Sequence, residues 1–348
     1  MNSDTPSPAP LSPANHPDHP APAQAQPVST APTDGAHRLT AWGVIRAQGA
    51  DAAKFLHGQL TQDFALLGPD EARLAGYCSP KGRLLATLVG FKREADDLLL
   101  ICSADLLAPT LKRLKLFVMR AQCQLTDASA DFELWGLAGA HAGAAALPDT
   151  PWAKVTTGTT TLVRLPHAQP AVAPAATEAA CIPRVLAVVP AGQTPQSVTH
   201  APALDAATWA WLEVASGVGM VSQPVADAFV PQMINLESVG GVSFKKGCYP
   251  GQEVVARSQY RGILKRRAFR LGATAGPLVV GQDVFHSSDA DQPCGTVFSA
   301  APTPDGQGWE ALASLQTSAT TQGSLHAGAP NGPALHPLNL PYRLLEDV

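Results

Sequence analysis

The run Lys245-Lys246-Gly247-Cys248-Tyr249-Pro250-Gly251-Gln252-Glu253 constrains this chain more than any other stretch. Two glycines flank Cys-Tyr-Pro, so the backbone must turn tightly there. Pro250 suits the first position of a helix, where a missing N–H is no loss. Glu253 then falls in the predicted first turn, with Arg257 and Arg261 near the far end, so both ends complement the helix dipole, and Gly262 supplies a stop. A thiol just ahead of a helix N-terminus, with ammonium groups beside it, is expected to have a depressed pKa and to be partly thiolate at neutral pH. That environment suits a nucleophile or a soft-metal ligand. Free cysteines are ordinarily small buried hydrophobes, and residue type alone favours that reading. A turn needs one glycine rather than nine specified positions, and the full run reverses the preference.

The chain has 348 residues, enough for two or three domains. It is 45% hydrophobic and 15% charged, with formal net charge −4, so there is no global basic excess of the kind that binds nucleic acid non-specifically. Lys245, Lys246, Arg257, Arg261, Lys265, Arg266 and Arg267 nevertheless crowd one segment. The cluster suits a polyanionic or carboxylate-bearing ligand, although a solvated basic face explains the last three as well. The cysteines at 78, 102, 123, 181, 248 and 294 form no Cys-x-x-Cys pair and have no zinc spacing. No metal ligand is assigned, and a reducing compartment fits better than a secreted disulfide framework. Residues 1–37 lack Lys and Arg and any continuous apolar run, against a secretory signal or transit peptide. With no apolar segment long enough to span a membrane, the expectation is a cytoplasmic protein.

Composition divides the chain. Residues 1–37 are rich in Pro, Ala and Ser and are expected to be a disordered tail. Order is predicted from Leu39–Ile45, a strand, followed by a helix over Ala52–Leu60 with Asp51 as its cap. Arg73–Cys78 and Arg83–Phe91 read as hairpin strands joined by Ser79-Pro80-Lys81-Gly82, Leu98–Cys102 as another strand, and Leu106–Arg120 as an amphipathic helix. Residues 38–141 thus form a first α+β region, and 142–204 a looser peripheral lobe with strands at Thr160–Leu165 and Arg184–Val189. Residues 205–265 return to the first region through a helix near Ala206–Gly217. Residues 266–348, with short strands and Gly, Asp and Pro turns, read as a small β-barrel. The order of elements indicates α+β layers rather than a doubly wound parallel sheet.

Phe229-Val230-Pro231-Gln232 with Asn235-Leu236, and Gly240-Gly241-Val242-Ser243-Phe244 running into the cysteine motif, closely resemble the YgfZ family of folate-binding proteins. Gly49-Ala50-Asp51-Ala52 with Phe55-Leu56 and Gln59 resembles that family's first helix, and Cys78 with Lys81-Gly82-Arg83 its hairpin. The match covers most of 38–348, weakly in 142–204. The resemblance implies an aminomethyltransferase-like fold, a ring of α+β subdomains around a central folate hole with a C-terminal barrel. It also implies a tetrahydrofolate-binding accessory factor for assembly or repair of iron–sulfur clusters in client enzymes, including tRNA-modifying ones. The alternative is a folate-dependent one-carbon transferase or demethylase, for which His57 is a candidate acid–base group.

By the same resemblance Cys248 and then Lys246 are the residues of chemistry, and Trp42 and Trp209 lie near folate. Tyr249, Gln252, Glu253 and Arg257 complete the candidate ligand set. Trp209 and Trp211 sit two apart on a predicted helix, so one of them is expected to face a pocket. One thiolate cannot hold a cluster by itself, so no stably bound iron–sulfur cluster is expected. The implied partners are folate and iron–sulfur client enzymes or cluster carriers, with no direct nucleic acid and no membrane. The glycine-cleavage T-protein of the wider superfamily uses an aspartate on the strand after this hairpin. Here Ala86 and Thr87 fall near that position, and Asp96 and Asp97 read as solvated turn residues ten positions on.

Overall fold

The computed structural model describes Met1 and residues 32–171, 181–260 and 264–345. Most of the expected tail lies outside the described residues, but its end is not a tail. Gly35–Arg38 is a strand, β1, paired along its whole length. Then follow β2 (Trp42–Gln48), α1 (Ala52–His57), β3 (Ala72–Cys78), β4 (Leu84–Glu94), β5 (Asp97–Ser103), α2 (Ala104–Val118), β6 (Gln124–Asp127) and β7 (Phe132–Ala138). The middle of the chain gives α3 (Gly139–Gly143), β8 (Lys154–Thr157), β9 (Thr160–Ala168), β10 (Ile182–Pro190), α4 (Gln196–Thr199), α5 (Ala206–Ala215) and α6 (Gln252–Tyr260). The last part is all strand apart from one short 3-10 turn: β11 (Arg266–Ala273), β12 (Asp283–His286), β13 (Asp289–Pro302), β14 (Trp309–Gln316), β15 (Leu325–Ala327) and β16 (Ala334–Leu338).

The first sheet runs β3-β4-β5-β2-β6, antiparallel throughout. Its centre is the apolar run of β5, where Leu98–Cys102 are fully buried, as expected for a strand covered on both faces. α2 lays Leu106, Leu107, Thr110, Leu111 and Leu114 inward, the spacing of one helical face. Asp97, expected in solvent, is buried and takes Arg46 in a bidentate pair, Nε to Oδ1 at 2.8 Å and Nη2 to Oδ2 at 2.9 Å. That geometry locks the β4–β5 turn. Asp51 does not cap α1 through its side chain. Its Oδ2 instead accepts from Gln122 N at 2.8 Å, tying the helix start to the segment before β6.

The second sheet runs β1-β7-β10-β9-β8. Residues 142–204, expected as a looser lobe, supply three of its five strands and fill a shared core with Val163, Leu165, Leu186 and Val188. β7 was not predicted. Polar or glycine residues interrupt its apolar positions, and its identity comes from pairing with β1 and β10. The barrel closes as β11-β14-β13-β12-β15-β16, with β16 returning to β11. Leu271, Val284, Val297, Ala313, Leu315 and Leu325 fill it, and closure leaves it without a free edge. Arg267 of β11 is not part of a basic face, since it is buried and paired with Glu237, while Arg266 donates to Cys294 O at 3.0 Å. Among the described residues no helix is long and apolar enough to cross a membrane.

Candidate functional site

The cysteine motif leaves the core and re-enters it within a few residues. Lys246 is buried, Gly247 and Cys248 are exposed, and Tyr249 is buried again, so the thiol sits at the crest of a short exposed loop. The helix starts later than predicted. Pro250 and Gly251 form a turn, with Gly251 at φ +81°, and α6 begins at Gln252. A left-handed residue at this point requires glycine, and Gly251 seats against the hairpin turn Ser79–Gly82. Two motifs 170 residues apart in sequence thereby become one surface. On α6, Gln252 is half-buried, whereas Glu253 and Arg257 are exposed. Arg261 and Gly262 lie outside the described residues.

Lys246 is 8% exposed. Its Nζ donates to Gly247 O at 3.0 Å and lies 4.6 Å from the centroid of the Tyr249 ring. Burial pulls the ammonium down to about 8, against the opposing attraction of Asp63 and Cys248. Burial also pushes the Tyr249 phenol up, and its hydroxyl has no hydrogen-bond partner. Behind the loop, His57 Nδ1 lies 2.9 Å from Asp63 Oδ1, and Asp63 Oδ1 also accepts from Leu66 N at 3.0 Å. The loop is bolted to that segment. Thr61 Oγ1 donates to Gly241 O at 2.6 Å, Gln62 Nε2 to Gly240 O at 2.6 Å, and Ser243 N to Thr61 O at 2.9 Å.

Two cavities adjoin here and share Pro151 and Trp152. One, of about 600 Å³, is walled by Asp63, Arg73, Trp152, Ser243 and Lys245. The other, of about 430 Å³, is walled by Trp152, His167, Ser216, Val218, Ser238 and Tyr342. Both fall in the size range of small-molecule sites, and their walls come from the first sheet region, the second sheet region, the cysteine loop and the C-terminal segment. Trp152 holds its place with φ +71°, an uncommon conformation for a bulky residue.

Trp42 and Trp209 do not wall these two cavities. Trp42 is half-buried at the start of β2, packed against the main core. Trp209 is 3% exposed, with its outer ring edge against Gly136 and the Arg184 guanidinium 4.8 Å from its centroid. Trp211, although 5% exposed, is the member of the pair that borders a cavity, one of about 520 Å³ shared with Thr303 and Glu310, and Trp209, which the resemblance selected, is not.

Burial pushes the Glu213 carboxyl up to about 7, outweighing Arg184 and the Trp209 indole, which favour the ionised form. Burial likewise lowers Arg184, to about 10. Arg184 Nε is buried without a hydrogen-bond partner, and the Trp209 indole N–H faces Glu213. This cluster was missed in the sequence, although an acid inside the otherwise apolar Trp209-Ala210-Trp211-Leu212-Glu213-Val214 was the available signal.

Thr87, one of the two residues expected from the sequence near the superfamily's carboxylate position, is fully buried. It accepts from Val221 N at 2.9 Å and lies 3.7 Å from Met220 Sδ. Asp97 is committed to Arg46 and Arg93. Among the described residues no group of three or more His, Cys, Asp or Glu is placed to hold a metal ion.

The sequence matches no protein-family model. It is similar in fold to the aminomethyltransferase T of the glycine cleavage system from Bartonella henselae, with TM-score 0.67 at 15% identity, covering 91% of this chain and 88% of that one. It is 31% identical over 277 residues to the tRNA-modifying protein YgfZ of Edwardsiella ictaluri, covering 77% of this chain and 81% of the relative. It is 30% identical over 322 residues to the protein of the same name from Yersinia pseudotuberculosis, covering 89% and 92%. On an aminomethyltransferase-like frame that ends in a closed barrel, with the cysteine loop set on the hairpin turn, this chain belongs to the YgfZ family.

Proposed function

We propose that this protein is a tetrahydrofolate-binding accessory factor that sustains iron–sulfur client enzymes, tRNA-modifying ones among them, with the Cys248 thiolate as its reacting group. The observation that carries this reading is the crest geometry. Cys248 alone of the motif's apolar or thiol residues faces solvent, with a desolvated ammonium, Lys246, buried beside it. A thiolate so placed attacks an electrophilic sulfur or carbon, and Lys246 stabilises the anion.

Folate suits the chain's own residues in two respects. The paired cavities are large enough for it, with Trp152 for a flat ring and Arg73 and Lys245 for a carboxylate tail. Half-buried Glu213, with the partnerless Arg184 Nε, is a second polar set, suited to the amino-pyrimidine edge of a pterin. Trp42, Tyr249, Gln252, Glu253 and Arg257, the contacts expected from the sequence, lie outside the walls of the paired cavities. With no metal-holding cluster of side chains among the described residues, a stably held iron–sulfur cluster would need ligands from a partner.

The test is calorimetry of tetrahydrofolate binding to wild type and Cys248→Ala, paired with iron–sulfur enzyme activity in cells carrying each. Retained binding with lost client activity supports the reading, and unchanged client activity sinks it.

One observation favours the transferase alternative. A carboxyl tuned to about 7, as at Glu213, is matched to general acid–base catalysis. Turnover of a tetrahydrofolate derivative by the purified protein, lost in Glu213→Gln, would establish that class.

A further inference from the structure

His57 ends α1 directly beneath the exposed cysteine loop. A Cβ built on Gly247 would lie 3.3 Å from His57 Nε2, so the imidazole edge abuts the residue that precedes Cys248. The other ring nitrogen is held by Asp63. Burial alone would raise the Asp63 carboxyl, but the Leu66 N–H, the His57 ring and Arg73 outweigh it and hold Asp63 below the usual carboxylate range. An ionised carboxylate only accepts, so the hydrogen of neutral His57 sits on Nδ1 and Nε2 presents a bare lone pair to the loop.

We propose that His57, oriented by Asp63, is the acid–base partner of the Cys248 thiol. The sulfur's proton moves to Nε2, leaving the electron pair on sulfur. The resulting imidazolium is stabilised by Asp63, and Nε2 returns the proton to the group that departs when sulfur forms its new bond. The proposal rests on the reading of Cys248 as the reacting group.

The surrounding charges favour His57 over the nearest rival. The groups facing this pair are Asp63 on its own segment, Arg73 and Glu71 from β3 and its approach, and Lys245, Lys246 and Cys248 on the loop. Lys246 would serve as base only when neutral. Its ammonium is kept to about 8, is hydrogen-bonded to Gly247 O and lies over the Tyr249 ring, so near pH 7 it contributes charge rather than a lone pair. The three hydrogen bonds from Thr61, Gln62 and Ser243 hold the imidazole segment and the loop in one register, as an oriented base requires.

The test is the pH profile of Cys248 alkylation by iodoacetamide, read by mass spectrometry in the full chain. Cys123→Ser and Cys181→Ser form the background and remove the other thiols with solvent access. His57→Gln is expected to slow alkylation about tenfold at pH 7 by moving the midpoint up about one unit, with rates converging on the parent's at pH 10. Asp63→Asn should move the midpoint the same way by less, and gives the same reading if His57→Gln does not fold.

A His57→Gln profile that coincides with the parent's overturns the proposal. So does a uniform change in rate at every pH, which would mean that the histidine only packs the loop. If Cys248→Ala lowers client activity while the His57→Gln profile is unmoved, this inference alone fails. If Cys248→Ala leaves client activity intact, the functional reading fails instead.

Discussion

Gly82 and Gly251 meet backbone to backbone. A Cβ on Gly251 would lie 2.6 Å from Gly82 Cα and 2.4 Å from the Ser79 carbonyl oxygen, and a Cβ on Gly82 would lie 2.7 Å from that of Val254. Both residues have positive φ, +70° and +81°. The hairpin turn and the cysteine motif therefore need glycine in the same place for two reasons, conformation and contact.

Gly251→Ala should lower stability by about 2 kcal/mol or more, since it adds left-handed strain to a backbone clash. The midpoint of urea denaturation checks this. Gly240→Ala is the control, because its φ is +79° but a Cβ there meets nothing within 4 Å, so it should cost less.

Removing one partner of the Arg267–Glu237 pair should cost far more than removing an exposed one. Both side chains are buried, so Glu237→Ala strands a guanidinium and is expected to lose about 3–5 kcal/mol. Arg38→Ala breaks a half-exposed pair with Glu133 and should lose less than about 1 kcal/mol. Denaturation of the two variants under one set of conditions compares them.

Two desolvated groups, Glu213 and Lys246, give the stability opposite pH slopes. Glu213 titrates near 7 when folded and from 4.5 in the reference state. The folded state therefore holds a proton that the unfolded chain has released, and stability declines as pH rises from about 4.5 through 7. Lys246 loses its proton near 8 when folded, against 10.5, so stability rises between those values. Glu213→Gln should flatten the first slope and Lys246→Met the second, in urea midpoints taken from pH 4 to 10.

Trp152→Ala should weaken tetrahydrofolate binding about fivefold to tenfold, the loss of one aromatic contact, with little effect on folding because the side chain is only partly buried. Trp209→Ala should instead cost about 3–5 kcal/mol of stability, since the ring is in the core. Calorimetry and denaturation on the same two proteins separate a ligand wall from a structural one.

Much of this architecture was legible in the chain. The hairpin around Ser79–Gly82, the buried run Leu98–Cys102 and the apolar face of α2 follow local patterning that tertiary structure did not override. β1 and β7 were not legible. Four residues and an interrupted alternation have no strand signal until they pair with each other and with β10. At the site, the motif pointed to Cys248 and the resemblance to Lys246, and the structure puts the first on an exposed loop with the second buried beside it. Asp63, Trp152 and Glu213 were hidden. Their places beside the proposed site depend on which segments come together, and only in Glu213, an acid in an apolar helix, did the local sequence offer a clue.

The Thr87 hydroxyl accepts the Val221 N–H in a fully enclosed position. A substitution placing an acid there would confine a new anion with no cation described beside it, and would disturb the strand-to-segment tie at the same time. An acid at residue 87 would therefore be tolerated only alongside further changes that supply a cation and a new acceptor for the Val221 N–H.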